Sequence, residues 1–334
     1  MNLRALILLL LIWSCDLPAL SQSNSISSDI SLLSGDVSPV HDPSIIRQGS
    51  NYYVFGTNRF NQKLLPIFCS TDLKVWQFCG NVFDEIPEWA LAEIPGARGI
   101  WAPDISYTAG EYRLYYAVST FGSNQSVIGL ITNKTLDNKS ADYKWVDRGR
   151  VVGSTRLDDY NAIDPNCVKD KDGNTWLAFG SFWGGIKMRR LDSKTGKLSE
   201  TDTKLYALAS RRPLDPPAIE GPAIIRHGAH YYLFVAFDFC CRGKNSTYKI
   251  FVGRAEKITG PYLDRDGKSL MDGGGTLLVA GSENWRGPGG QSLLHEDSYD
   301  LMAFHSYSAI TGKATLMVSR IKWKEGWPQP IRLP

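Results

Sequence analysis

Three acidic residues stand at similar places in three similar stretches of the chain. Asp42 opens Asp-Pro-Ser-Ile-Ile-Arg, Asp164 opens Asp-Pro-Asn-Cys-Val-Lys, and Glu220 opens Glu-Gly-Pro-Ala-Ile-Ile-Arg. An ionised carboxylate can take a proton from water, and a protonated carboxyl can give one to a leaving oxygen. Converging acids therefore suit acid/base hydrolysis, whereas Asp-Pro and Glu-Gly-Pro taken singly suit ordinary turns at the start of strands.

Inverting cleavage of a glycosidic bond needs an acid and a base roughly 6.5 to 9.5 Å apart, with room for a water between them. The longer side chain of Glu220 suits the acid that reaches the scissile oxygen, and Asp42 would hold the water on the other face of the sugar. We expect Asp164 to raise the pKa of Glu220 by like-charge repulsion and to keep it protonated until needed.

The elements that position these acids are predicted by an internal repeat of strand, turn and strand. Five units begin near residues 42, 104, 164, 220 and 290, and a third strand often follows, as in 127–132, 185–191, 249–255 and 315–323. Repeats of about 60 residues with room for four strands match the blades of a propeller. The predicted fold is all-β, a single five-bladed β-propeller over residues 22–334, with a short helix within 85–94. A two-sheet sandwich is the alternative, but it does not explain why acids open the same strand in several repeats.

Several motifs together resemble glycoside hydrolase family 43, especially its endo-acting arabinanases, from about residue 36 to the C-terminus. They are His41-Asp42-Pro43-Ser44, Trp101-Ala-Pro-Asp104, Ala162-Ile-Asp164-Pro-Asn, Phe179-Gly-Ser-Phe-Trp-Gly-Gly-Ile186 and Ile219-Glu220-Gly-Pro222. The resemblance implies a five-bladed propeller and single-displacement inversion. It makes Asp42 the general base, Glu220 the general acid and Asp164 the residue that tunes and orients the acid. The expected substrate is α-1,5-linked L-arabinan from pectin.

Substrate contacts are expected in segments that match the family's cleft motifs. Flat apolar side chains suit the C–H faces of sugar rings, and polar groups suit the hydroxyls. The candidates are Trp101, Asp104, Phe121 and Trp183, with Trp285 as a weaker one. For each aromatic ring, packing between blades is the alternative.

A central ion is a further expectation from the resemblance. His305, in Ala303-Phe-His-Ser-Tyr, stands where family arabinanases have a histidine near a hydrated ion, and we expect calcium or sodium there. The alternative is an ordinary core histidine, since hydrated ions prefer oxygen ligands. The chain departs from relatives at Gly290-Gln291, where they often carry His-Asn, so a contact supplied there is expected to be missing. No organic cofactor is expected.

Charge and the N-terminus limit the partners. The chain has 37 basic and 34 acidic residues, a net charge of +3 that is too small and too evenly spread to suggest nucleic-acid binding.

Residues 1–21 carry Arg4, an apolar run from Ala5 to Trp13 and then Ala19-Leu20-Ser21, which is typical of a cleaved secretory signal. The run is too short for the alternative, a membrane anchor. We expect a secreted, extracellular monomer that does not enter a membrane.

In a secreted protein, four sequence motifs can accept glycans and the cysteines can form disulfides. The acceptors are Asn124, Asn133, Asn138 and Asn245, the first three in a stretch expected to be solvated. Cys69 and Cys79 bracket a predicted hairpin and can pair, and Cys240-Cys241 can form a vicinal disulfide that leaves Cys167 free. The alternative is that all five are unpaired.

Two other functions compete with endo cleavage. An exo-acting α-L-arabinofuranosidase or β-xylosidase would use the same carboxylates in a blocked pocket, which loop lengths decide. A catalytically silent sugar-binding propeller would keep the aromatic platforms, although intact Asp42, Asp164 and Glu220 argue against it.

Overall fold

A computed structural model describes Ile30 and residues 33–57, 59–60 and 63–334. The predicted signal segment, residues 1–21, lies outside the described residues. No helix among the described residues is long and apolar enough to cross a bilayer.

Five sheets follow one another along the chain, and each is called a blade. In each blade the inner strand leads outward through antiparallel hairpins, and in blade 1 the short strand Ser34–Gly35 precedes the inner strand and pairs in parallel with the outer strand Val75–Phe83. Blade 1 contains Ser34–Gly35, His41–Gln48, Asn51–Thr57, Arg59–Phe60, Lys63–Ser70 and Val75–Phe83. Blade 2 contains Trp101–Thr108, Glu111–Val118, Ser126–Asn133 and Val146–Ser154. Blade 3 contains Asn166–Lys169, Thr175–Phe179, Ile186–Leu191 and Tyr206–Ala209. Blade 4 contains Ile219–His227, His230–Phe237, Lys249–Ala255 and Thr276–Val279.

Blade 5 has three strands, and a few short elements complete the fold. The strands are Trp285–Glu296, Tyr299–Ser308 and Ala314–Ile321, followed by the small hairpin of Trp323–Lys324 and Trp327–Pro328. The predicted helix spans Glu88–Glu93, directly after Pro87, and 3₁₀ turns span Gly243–Asn245 and Leu270–Asp272.

The blades form a closed ring. The inner strand of each blade contacts that of the next, and the inner strand of blade 5 contacts that of blade 1. The N-terminal segment completes the closure, because Ile30 bridges Ser319 of the outer strand of blade 5 and Leu316 donates its N–H to the Val37 carbonyl. The predicted five-bladed propeller is confirmed, and the two-sheet sandwich is wrong.

Apolar clusters between the blades hold the ring together. Five clusters of buried residues are each shared by two neighbouring blades, including the pairs Phe55 with Leu114, Tyr115 with Phe179, Ile186 with Val235, Phe234 with Phe304, and Val54 with Leu301. The described core is thus distributed around the ring, and the axis is left to polar groups.

A left-handed residue recurs near the start of each inner strand. It is Asp42, Ala102, Asp164, Gly221 and Gly290, with φ of 44°, 43°, 55°, 61° and 59°. In four blades it coincides with a register shift against the second strand, the mark of a β-bulge. Asp tolerates this conformation better than most residues. The bulge redirects the first side chains of the strand towards the axis, which the repeat alone did not reveal.

Side chains two positions after the left-handed residue tie neighbouring blades together. Ser44 accepts the N–H of Ile105, and Asn166 Oδ1 accepts that of Ile224. Asp104 is the equivalent of Ser44, and its Oδ2 accepts the Cys167 N–H at 2.6 Å. The sequence alignment of Asp104 with Asp42 was therefore off by two residues.

The disulfide predictions are confirmed. Cys69 pairs with Cys79 across the two outer strands of blade 1, Cys240 pairs with Cys241, and Cys167 is free.

The expectation that the stretch carrying the first three glycosylation acceptors is solvated is wrong at two of them. The side chain of Asn124 is buried and donates to the Asp158 and Tyr160 carbonyls, and Asn133 is buried at the end of a strand. Asn138 and Asn245 are exposed.

Candidate active site

A cleft of about 1120 Å³ opens at the end of the propeller where the inner strands begin. Asp42, Asp164 and Glu220 all line it, each carried by a different blade. The structure therefore brings together the three acids that the sequence singled out.

The Asp42 carboxylate is surrounded by groups that favour its ionised form. His41 Nδ1 lies 2.8 Å from Oδ2, and the Thr57 hydroxyl donates to the same oxygen at 2.8 Å. Burial alone would raise the pKa of Asp42, but attraction to His41, the His41 contact and the Thr57 hydrogen bond hold the pKa well below its usual range. This side chain is a carboxylate in the folded protein, as a general base must be.

Glu220 has the opposite environment. It precedes the left-handed residue of its strand, so it occupies the position of His41 rather than that of Asp42. Burial raises its pKa to about 7; the Ser181 hydroxyl, which donates to Oε2 at 2.5 Å, opposes this rise, and the charge of Asp42 adds to it. Two acids in one cleft thus differ in protonation near neutral pH, which is the separation that acid/base catalysis requires.

Asp164 lies beside the strand that carries Glu220. Its Oδ2 accepts the Gly221 N–H at 3.0 Å, which ties it to the residue after the acid. Burial, and then the charges of Glu220 and Asp42, raise the pKa of Asp164 well above its usual range. Asp42 adds like charge that raises the pKa of Glu220, and Asp164 and Glu220 also repel each other as neighbouring carboxyl groups.

The aromatic candidates divide into two groups. Trp101, Phe121 and Trp183 line the cleft; the rings of Trp101 and Phe121 lie 5.0 Å apart, and Phe121 is 80% exposed. Trp285 does not line the cleft, because it packs against the apolar cluster between blades 4 and 5. An aromatic ring exposed to this extent gains little from the fold, so Phe121 is available as a binding surface.

Asp104 does not reach the cleft either. It is buried and lines a small second cavity with Asp42 and Asp164, where it accepts from Asn166 and the Cys167 N–H, and its position gives no support to a substrate contact. Burial raises its pKa to about 7, opposed by those two donors.

Sequence reasoning missed three polar residues of the site. His41 was visible, because it adjoins Asp42 in the His-Asp-Pro motif. Ser181 lay within a quoted motif but without a role, and Thr57 ends the second strand of blade 1, where no local pattern marks it. Only the pairing of strands brings Thr57 opposite His41.

The atoms around His305 include few that can hold the predicted ion. His41, Asp42 and His305 place ligand atoms within 4.8 Å of one another. However, His305 Nδ1 accepts the Asp42 N–H at 3.2 Å, and burial lowers the pKa of His305. His305 Nε2 is buried without a hydrogen-bond partner among the described residues, so it is the ring nitrogen left to meet an ion or its water. Two imidazoles and one carboxylate supply few of the oxygens that Ca²⁺ prefers, so these residues fit a hydrated ion better than a dehydrated one.

A propeller whose cleft is lined by an ionised carboxylate and by a carboxyl group with a pKa of about 7 has the apparatus of a glycoside hydrolase, and the comparisons with known proteins agree. The model of glycosyl hydrolases family 43 matches residues 37–328, so the chain belongs to that family. It is 43% identical over 291 residues to extracellular endo-α-(1→5)-L-arabinanase 1 of Bacillus subtilis, covering 86% of this chain and 87% of the relative.

Two further relatives are similar over most of their length. Extracellular exo-α-(1→5)-L-arabinofuranosidase ArbA of Cellvibrio japonicus is 40% identical over 301 residues, which is 87% of this chain and 86% of that protein. The solved structure of a Cellvibrio cellulosa α-L-arabinanase in complex with arabinohexaose is 37% identical, with a TM-score of 0.83, and the match covers 89% of this chain and all of that one, 100%.

Proposed function

We propose that this protein is a secreted enzyme that cleaves internal α-1,5-L-arabinofuranosyl linkages of arabinan with inversion. The observation that carries the proposal is the pair of opposite environments at Asp42 and Glu220 in one cleft, which sets one as base and the other as acid. The names of the relatives supply the sugar and the linkage.

Each of the three acids has a task that its contacts support. Asp42, ionised and held by His41 and Thr57, takes a proton from the attacking water. Ser181 occupies Oε2 of Glu220, so Oε1 is the oxygen free to protonate the departing sugar oxygen. Asp164 positions the acid through the Gly221 N–H. The water adds to the anomeric carbon as the glycosidic bond breaks, and one proton passes to Asp42 while another leaves Glu220.

Endo action is favoured by the size of the cleft. Its volume of about 1120 Å³ exceeds the roughly 300–1,000 Å³ typical of small-molecule pockets, so it has room for several sugar units. Exo action is the second candidate, because one relative of similar identity is named an exo-enzyme. A product time course on linear arabinan separates the two: intermediate oligosaccharides appear early in endo cleavage, and a single short product appears throughout in exo cleavage.

The roles are tested by Asp42→Asn and Glu220→Gln, which keep the size of each side chain. Each is expected to lower kcat by about 10²- to 10⁴-fold with little change in the melting temperature. Asp192→Asn, at an exposed turn of blade 3, is the matched control. Near-normal turnover in either site variant contradicts the assignment. Proton NMR of the first anomer released tests inversion.

Secretion and the ion belong to the same proposal. Two relatives are named extracellular, in keeping with cleavage after residue 21, which N-terminal sequencing of the mature protein tests. A calcium or sodium ion in the channel is proposed only as a hydrated ion that His305 meets through water, and metal analysis of the purified protein before and after chelation tests this.

A further inference from the structure

The Cys240–Cys241 disulfide forms part of the cleft wall next to the proposed base. Both cysteines line the cleft together with His41 and Asp42. Cys241 is exposed, and its sulfur lies 3.8 Å from His41 Nε2. The chemistry described above assigns no task to this pair.

A chain of polar contacts leads from this disulfide to the Asp42 carboxylate. The Cys241 N–H donates to the Tyr307 hydroxyl oxygen at 2.9 Å, and that oxygen lies 2.6 Å from His41 Nε2. On its other side His41 Nδ1 lies 2.8 Å from Asp42 Oδ2, a charge contact rather than an aligned hydrogen bond. Tyr307 is 4% exposed, so its hydroxyl depends on these partners rather than on solvent. The orientation of His41 is therefore fixed from both sides.

The backbone at Cys241 requires a restraint to make this contact. Its φ is 65°, in the left-handed region that a non-glycine residue rarely adopts without one. The bond between the neighbouring sulfurs closes a small ring that includes the Cys240–Cys241 peptide. Opening that ring frees the Cys240–Cys241 peptide unit to rotate, and this rotation turns the Cys241 N–H away from Tyr307.

We propose that the Cys240–Cys241 disulfide positions the catalytic base, by holding Tyr307 and His41 in the orientation that presents Asp42 to the attacking water. The inference rests on the proposed role of Asp42. Cys240, Cys241, Tyr307 and His41 are positioning residues here and do not exchange protons with the substrate. An intact disulfide is thus a condition for full activity.

Reduction of the folded enzyme tests the proposal directly. A dithiol reductant gives two electrons and two protons to the disulfide, which becomes two thiols, while the reductant closes to its own cyclic disulfide. The second disulfide supplies a matched control: in a Cys69→Ser/Cys79→Ser variant only the vicinal pair can respond, because Cys167 is already free. Mass analysis of a rapidly alkylated sample establishes that the pair is reduced.

We expect reduction of this variant to lower kcat on arabinohexaose about 10- to 100-fold, the usual effect of a small misplacement of a catalytic group, with KM changed less than about threefold. The acid limb of the kcat profile should move to higher pH, because a mobile His41 no longer holds the pKa of Asp42 down. Unchanged kinetics in the reduced protein overturn the proposal. So does a fall that tracks loss of near-ultraviolet circular dichroism, since that is unfolding.

Tyr307→Phe provides a second readout that leaves both disulfides intact. It should reproduce the lower kcat and the shifted acid limb, and reduction of the vicinal pair should then add little, because the link between the two is already broken. If Tyr307→Phe has wild-type kinetics while Asp42→Asn is inactive, the inference about the disulfide is overturned and the proposed function stands. An active Asp42→Asn variant instead overturns the proposed function.

Discussion

Ser181→Ala should move the basic limb of the activity profile to higher pH. Glu220 acts as an acid only while protonated, so activity falls as pH rises through its pKa of about 7. The Ser181 hydroxyl donates to Oε2 at 2.5 Å and favours the ionised form. Removing that donor raises the pKa, and the enzyme then keeps its acid to higher pH.

The size of the shift follows from two kinds of hydrogen bond. A bond to a charged carboxylate contributes about 1.5–3 kcal/mol, and one to a neutral carboxyl about 0.5–1.5 kcal/mol. The difference is on the order of 1.4 kcal/mol, which corresponds to about one pH unit. The basic limb is therefore expected near pH 8 in Ser181→Ala, with kcat at pH 5 close to that of the wild type.

Initial rates on arabinohexaose between pH 4 and 10 measure this. Ser70→Ala is the matched control, because Ser70 also donates to a carboxylate, Asp72 Oδ1 at 3.0 Å, but at an outer turn of blade 1. Its profile should coincide with that of the wild type. A basic limb that stays in place or moves to lower pH in Ser181→Ala refutes the reasoning. An equal loss at every pH means that Ser181 orients Glu220 and does not set its pKa.

Three further substitutions test separate contacts. Thr57→Val removes the donor to Asp42 Oδ2, so the pKa of Asp42 rises and the acid limb of kcat/KM moves to higher pH; an unmoved limb contradicts this. Phe121→Ala should raise KM about 3- to 10-fold, from about 0.5–1.5 kcal/mol of lost aromatic contact, and leave the melting temperature unchanged because the ring is 80% exposed. Asp104→Ala leaves the buried Cys167 N–H without its acceptor and should cost about 1–3 kcal/mol in the free energy of unfolding, measured by denaturant titration, with KM unchanged; a raised KM would return Asp104 to the binding site.

The repeat could be recognised in the sequence because each blade of a propeller is formed by consecutive residues. Each unit carries its own turn residues and alternating strands, so five copies in one chain predict five blades before any contact between them is known. The same redundancy exposed the three acids, since a residue type that recurs at one place in the repeat needs no tertiary information to be noticed. The pairing of Cys69 with Cys79 could be suggested from the sequence for the same reason, because the two residues belong to one hairpin.

Errors arose where the exact position of a residue within the repeat matters. Asp104 and Asp42 both stand near the start of an inner strand, yet the left-handed residue falls at Ala102 in one blade and at Asp42 in the other. Because of that offset, the Asp104 side chain meets the Cys167 N–H of the next blade. The left-handed conformation of Ala102 cannot be recognised from the sequence, because alanine has no preference for positive φ.

The sequence by itself determined the architecture and the three acids, and it offered the cysteine pairs that the structure contains, because each depends on neighbours along the chain or on repetition. Tertiary structure alone decided the protonation of the acids. Asp42 stays ionised because His41 and Thr57 face it, while burial and the charge of Asp42 raise the pKa of Glu220 to about 7. A pKa depends on desolvation and on charges a few ångströms away, and these distances exist only once the ring has closed.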